Sequence, residues 1–460
     1  MKKASPIILK LCILFACASF SLASSASDDL YIDNLYIDNL QILDIESGEI
    51  IKNRQLHISA GKVVAIKPAQ TPITDKHFTL HDGKGHYLMP GLIDMHVHAF
   101  DPAAFIITLS HGVTHVRLMN GVKAHLTWRE ELQENRRIGS TITVSSPIIS
   151  GFENPHMHLS AQTADQAIRA VRNAKQQGYD LIKAYGNLTP PVLRALLSEA
   201  QNQKIPVAKH GPHPSGDMQW NELAGTQSLE HVEDIFQGPL GYQQDQKKLD
   251  ETIAQLKSLE TPITPTLNIF WQLTQISEKK QAYLDSLPEK YTSPIVALEE
   301  KLHQIRRWLN SPEGMVEYNK KTFAYLQHIA RQLYEAQLTL LIGSDSGVLL
   351  SPHGIATHNE MELLQQAGLP NLAILQAATV NAAKALGKEA ELGKVAPGFS
   401  ADFILVSNNP LENLAALKNP DWVIKHGRLF SRAELQQLRS EAIDKRSFWQ
   451  ELRTLSGAGK

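Results

Sequence analysis

The sequence predicts an α/β protein: a (β/α)8 TIM-like barrel flanked by a β-sandwich that both ends of the chain build together. Three observations carry that expectation. Eight strand-like runs alternate with helix-capable stretches between residues 89 and 344. Short alternating strands separated by turn residues occur before residue 89 and return after residue 392. Polar residues of similar chemical type also recur where the central strands end, which is where such barrels keep their chemistry.

In chain order, residues 1–26 combine positive charge at Lys2, Lys3 and Lys10, an apolar stretch over 11–22, and small residues over 23–26. That is the pattern of a secretory signal peptide, too short for a membrane span, so a secreted or periplasmic protein is expected with no span in the mature chain. Both cysteines, Cys12 and Cys17, lie in this segment, and the mature protein should carry neither thiol nor disulfide. Its removal leaves 42 basic against 47 acidic residues, a net charge of −5. Such a balance gives no electrostatic footing for a nucleic-acid partner. With 43% hydrophobic residues in 460, a large buried core is within reach.

Next comes a short tandem duplication, Leu30-Tyr31-Ile32-Asp33-Asn34 followed by Leu35-Tyr36-Ile37-Asp38-Asn39, whose period of five stops at once and founds no repeat architecture. Residues 27–88 and 393–432 read as strands and turns of one composite sandwich domain. Between them, residues 89–392 form the barrel, with strands expected over 89–98, 113–119, 141–149, 180–185, 206–210, 228–232, 262–267 and 338–344. The stretch 268–337, rich in Leu, Lys, Glu and Gln, is too long for a simple crossover and reads as extra helices able to cover the barrel mouth. Residues 433–460 read as a helical tail.

Chemistry begins at Pro90-Gly91-Leu92-Ile93-Asp94-Met95-His96-Val97-His98. Side chains alternate along a strand, so His96 and His98 share one face while Met95 and Val97 take the other. Two neutral imidazoles on a rigid mount suit zinc and similar divalent ions. Lys183 lies near the end of the fourth strand, His210 ends the fifth, His231 the sixth and Asp345 the eighth. Each alone has a bland explanation: an ion pair for Lys183, hydrogen-bonded core histidines, a helix cap for Asp345. Together they are ligand types that a barrel brings to one mouth from distant parts of the chain.

At this point the chain resembles the metal-dependent amidohydrolase superfamily along nearly its whole mature length. The likeness rests on the stretch ending His96-Val97-His98, on Gly112-Val113-Thr114-His115-Val116-Arg117, Ile182-Lys183, Ser228-Leu229-Glu230-His231 and Gly343-Ser344-Asp345-Ser346-Gly347, and on residues 377–402. Within the superfamily it is most similar to the imidazolonepropionase and Xaa-Pro dipeptidase-like branch. The resemblance implies that His96, His98, His210, His231 and Asp345 are metal ligands. It also implies that Lys183 takes up carbon dioxide to bridge two divalent metal ions, zinc being expected, as a carbamate. Two metals acidify the water they share into a bridging hydroxide, and Asp345 beside it can move the proton to a leaving nitrogen. Hydrolysis of an amide-type carbon–nitrogen bond of a small molecule follows.

A mononuclear deaminase would share His96, His98, His210 and Asp345 but has no use for Lys183. A non-catalytic binding module would have no need of every ligand. The dipeptidase-like resemblance and the export signal together suggest a dipeptide or N-acyl amino acid, with a cyclic amide or lactone as the alternative. A free carboxylate on that substrate would meet His156, His158, Tyr185 and His213 at the mouth. Arg117 is a further candidate, although its place inside the second strand favours a buried ion pair, for instance with a strand-one acid. The sequence leaves a homo-oligomer open.

Overall fold

The computed structural model describes residues 34–153, 157–288 and 290–455. The expected signal segment, the start of the tandem duplication and His156 lie outside the described residues.

Five strands open the chain: β1 (Asn34–Leu43), β2 (Ile50–Ser59), β3 (Lys62–Pro68), β4 (Thr79–Asp82) and β5 (Tyr87–Pro90). Nine short strands follow: β6 (Leu92–Val97), β7 (Val113–Leu118), β8 (Thr141–Val144), β9 (Ile148–Ser150), β10 (His158–Ser160), β11 (Ile182–Ala184), β12 (Val207–His210), β13 (Ser228–Glu230) and β14 (Ile263–Thr264). The chain then returns to its start with β15 (Phe403–Val406), β16 (Trp422–Lys425) and β17 (Arg428–Ser431).

The strands from both ends join one eight-stranded sheet in the order β17-β16-β15-β5-β1-β2-β3, with β4 also on β1. The joint is β5 against β15, where Met89 faces Ile404 and Leu88 faces Leu405 in antiparallel register. Alternation along β15 decides what each face does. Phe403 and Leu405 enter a core of the sheet's own with Leu35, Ile37, Leu56 and Ile58, around which the sheet curls. Ile404 and Val406 enter the larger core shared with Val97, Phe105, Val113 and Leu229. A buried ion pair reinforces that seam, Lys425 Nζ lying 2.6 Å from Asp402 and 3.3 Å from Thr141 of β8.

The central strands are parallel. β6-β7-β8 make one group and β10-β9-β11-β12-β13-β14 another, and a parallel bridge between Ser145 and Leu181 links them on one side. On the other side, segment 338–346 bonds to both edges. Leu340 bridges Ile263, Met95 N–H donates to Ile342 O at 2.8 Å, and Asp345 N–H donates to His96 O at 2.8 Å. The run expected as one strand over 141–149 is broken at Ser145-Ser146-Pro147, where proline supplies no N–H and disfavours continuation. Segment 338–344 bonds on both sides without a regular ladder. At its centre Gly343 approaches so closely that a Cβ would lie 2.3 Å from Thr264 Cγ2 and 2.9 Å from His96 Cβ.

Helices form the crossovers. In Ala164–Gln177, the Thr163 side chain accepts from the Gln166 N–H, Gln166 reciprocates, and Gly178 closes the helix at φ 87°. Residues 267–335 carry five helices, the first Leu267–Lys279 and the last Glu313–Glu335. Asn268 and Gln272, one turn apart, fasten the first of them. Asn268 Nδ2 donates to Ser344 O (2.6 Å) and Ser351 Oγ (2.9 Å), and Gln272 Nε2 donates to Leu349 O (2.9 Å). The insertion is thus fixed to the chain on either side of Asp345. Helices Arg432–Asp444 and Phe448–Leu455 end the described chain. Arg446 between them clamps Asp101, just beyond His98, with two bonds of 2.9 and 3.1 Å. Among the described residues no helix is long and apolar enough to cross a membrane.

Candidate metal centre

The side chains of the candidate centre stand on or just past the central strands, apart from Asp345, which follows segment 338–344. β6 carries His96, and His98 stands just past it. The two rings lie 5.3 Å apart on one face, as alternation requires. β13 leads into His231, β12 ends on His210, and segment 338–346 brings Asp345. The result is a chain of rings: His96 to His231 at 4.8 Å, His231 to His210 at 4.4 Å, His210 to Tyr185 at 4.0 Å, Tyr185 to His158 at 5.0 Å. Asp345 Oδ1 lies 3.1 Å from His98 Nε2 and 3.7 Å from His96 Nε2. Ligand atoms of His96, His231 and Asp345 all fall within 4.8 Å of one another.

Lys183 sits on β11, 1% exposed. Burial pushes its ammonium down to about 8, with Glu230 and Asp345 offsetting part of that effect. Burial likewise lowers His96 to about 4 and holds His210 and His231 well below the usual imidazole range. At neutral pH the centre therefore presents imidazole lone pairs beside a carboxylate. Lys183 Nζ and His210 Nδ1 are both buried without a hydrogen-bond partner, and Asp345 Oδ1 meets only the ring nitrogens of His98 and His96. Protein interiors seldom leave such atoms unpaired unless something else is meant to meet them. The nitrogen and oxygen donor set, with ligand atoms of His96, His231 and Asp345 gathered within 4.8 Å of one another, is of the kind that binds a divalent metal.

Several residues that hold this centre were not singled out from the sequence. Asp94, fully buried, accepts from His96 N–H (3.1 Å), Ser344 N–H (3.0 Å) and Thr357 Oγ1 (2.6 Å), so it pins β6 to segment 338–346. Thr266 Oγ1 lies 2.8 Å from His231 Nδ1, and Asp234 Oδ2 lies 3.2 Å from His210 Nε2. Glu230 Oε2 lies 2.8 Å from His96 Nδ1. Its signal was available: Ser228 and Glu230 share the inward face of β13, one residue before a ligand-type histidine. Arg117 does form a buried ion pair, but with Glu230 of β13 at 2.7 Å and not with a strand-one acid. Asp94 is already engaged by two backbone N–H groups and a hydroxyl.

Of the residues expected at the mouth, Tyr185 and His158 join the chain of rings, His158 with Nδ1 3.3 Å from Ser150 Oγ. His213 turns its ring over Gly238 and Gly211, with Nδ1 3.0 Å from Pro214 O.

Known proteins resemble this chain over most of its length. The model of the amidohydrolase family matches residues 87–429. Ochratoxinase of Aspergillus niger is 23% identical over 459 residues, covering 83% of this chain and 84% of that protein. A solved structure from Bifidobacterium longum, assigned as a prolidase, superposes with TM-score 0.67 at 25% identity, covering 90% of this chain and 99% of its own. Bottromycin amidohydrolase superposes with TM-score 0.72 at 23% identity, with 90% of each chain covered.

Proposed function

Because the chain belongs to the amidohydrolase family, we propose that it is an exported, metal-dependent hydrolase that cleaves an amide-type carbon–nitrogen bond of a small peptide-like molecule. Its frame in this reading is a (β/α)8 barrel, residues 89–392, closed by segment 338–346 as the eighth strand. Residues 27–88 and 393–432 flank it as a sandwich domain.

The observation that carries the reading is Lys183. A lysine amine buried on a wall shared with three histidines and an aspartate, with no hydrogen-bond partner for Nζ, is costly as a spectator. With its ammonium pushed down to about 8, an appreciable share is neutral amine near pH 7. That amine can form a bond to carbon dioxide and release a proton, ending in a carboxylate on a long stem. His96, His98, the modified Lys183, His210, His231 and Asp345 would then hold two divalent ions. Bound there, such ions polarise a carbonyl and acidify water. Asp345 accepts the proton of the attacking water and passes it to the leaving nitrogen, and Tyr185 and His158 line the approach. A free carboxylate on the substrate would find its partners among those two, His156 and His213.

The relatives named for amide hydrolysis, a prolidase and an amidohydrolase among them, support this reaction class. The test is a hydrolysis screen across dipeptides, N-acyl amino acids, lactams and lactones on protein whose metal has been counted. About two divalent ions per chain and turnover of a linear amide are expected. One ion per chain with ammonia released from a ring would shift the assignment to a deaminase, and turnover of lactones alone would remove the amide.

A further inference from the structure

β6, β7 and β13 meet in a closed polar network that the hydrolytic reading does not use. Glu230 Oε2 lies 2.8 Å from His96 Nδ1. Its other oxygen, Oε1, accepts from Arg117 NH2 at 2.7 Å and from the Ser228 hydroxyl. Arg117 in turn donates through Nε to Met95 O at 2.7 Å, the carbonyl immediately before His96, and through NH1 to Ser228 Oγ at 2.8 Å and Gln227 Oε1 at 3.0 Å. Arg117 and Glu230 are both fully buried, and His96 is 1% exposed.

Charge and donor counts restrict how this network can be protonated. Arginine keeps its charge, so a buried partner at 2.7 Å holds Glu230 as a carboxylate, which can only accept. The contact to His96 Nδ1 therefore requires the proton on Nδ1. A neutral imidazole has one N–H, which leaves Nε2 bare and facing Asp345. We propose that Glu230, oriented by Arg117, is a positioning residue that locks His96 in the Nδ1–H tautomer and so makes Nε2 a permanent lone-pair donor. The consequence for metal binding rests on the hydrolytic reading above, but the tautomer itself does not.

The network also predicts what an amide would do in its place. In Glu230→Gln, Arg117 and Ser228 still demand an acceptor where Oε1 stood, so the amide oxygen goes there and its NH2 faces His96. That NH2 donates to Nδ1, the ring proton moves to Nε2, and the lone pair is lost. Removing the arginine as well, in R117M/E230Q, frees the amide to turn, because the Ser228 hydroxyl can accept as well as donate.

Zinc competition against a chelator and ring 15N spectra of histidine-labelled protein, recorded metal-free and zinc-loaded, test this together. Expected are an Nδ1–H signal for His96 in the wild type, zinc affinity reduced about 10- to 100-fold in E230Q, and recovery of most of that loss in R117M/E230Q. An Nε2–H signal in the wild type, zinc affinity unchanged in E230Q, or a double variant that binds zinc no more tightly than E230Q overturns the proposal. Should E230Q fail to fold, the wild-type spectrum and the double variant still decide it. Should the wild type take up no zinc, the metal centre falls while the spectrum continues to report the tautomer.

Discussion

Asp345, His231 and Thr266 follow three successive inner segments, and all three hold positive φ, at 52°, 72° and 53°. For side chains of this size the left-handed region costs on the order of 1–3 kcal/mol each and survives where surrounding structure enforces it. That geometry makes Asp345→Asn an unusually clean experiment. Asparagine tolerates this backbone region and keeps an oxygen ligand, but it cannot accept the water's proton. Turnover should fall about 100-fold or more while much of the metal is retained, read by steady-state rates beside metal analysis. Lys183→Ala should behave differently, losing metal and activity together, with added short-chain carboxylic acids restoring part of the activity by filling the bridge. Normal turnover in that variant would reduce Lys183 to a structural cation. The histidine pair was legible because period two puts residues 96 and 98 on one face. The strained backbone was not, since Asp and His enter positive φ more often than other non-glycine residues yet mostly stay out of it, and nothing in the sequence marks Thr266 for it.

At the scale of elements, the insertion enters through a buried acid. Glu360 Oε2 accepts from the Asn268 N–H at 2.6 Å, at the start of helix Leu267–Lys279, while Oε1 has no partner. Burial pushes this carboxyl up from 4.5 to about 8, against the backbone bonds that pull it down. The unfolded chain therefore releases the proton above pH 4.5 while the folded one keeps it. Folded protein binds more protons across that interval, so this group erodes stability as pH rises and levels off above about 8. Thermal melts of Glu360→Gln against wild type should diverge in the variant's favour between about pH 5 and 8. Parallel melting curves across that range would mean that Glu360 is ionised throughout. The sequence marked 268–337 as extra helices from length and composition. It could not show that Asn268 and Gln272 bind the loop after Asp345, because a buried amide on a helix looks like any polar surface position.

For the molecule as a whole, the metal should act on stability as well as on rate. A ligand bound only by the folded state adds about 2.7 kcal/mol at a hundred times its dissociation constant. Chelation should abolish activity and lower the melting temperature together, and zinc, manganese or cobalt should restore both. Full activity in rigorously metal-free protein would defeat the reading. Strand-like runs at both termini were enough to expect that the two ends meet, since the same pattern of short strands and turns occurs at each. The joint itself, β5 on β15, could not be read from them, because strand pairing over three hundred residues leaves no local trace.

That joint also orders events in time. Chain synthesis delivers β1 to β5 first, yet Leu88, Met89 and Pro90 receive their β15 partners only after residue 403 has emerged. Until then the growing polypeptide carries an open, apolar sheet edge, the kind of surface that recruits a neighbouring chain. A message truncated near residue 400 should accordingly yield aggregates, not a shortened enzyme, because the codons for residues 403–431, which encode β15 to β17, decide whether the sheet closes.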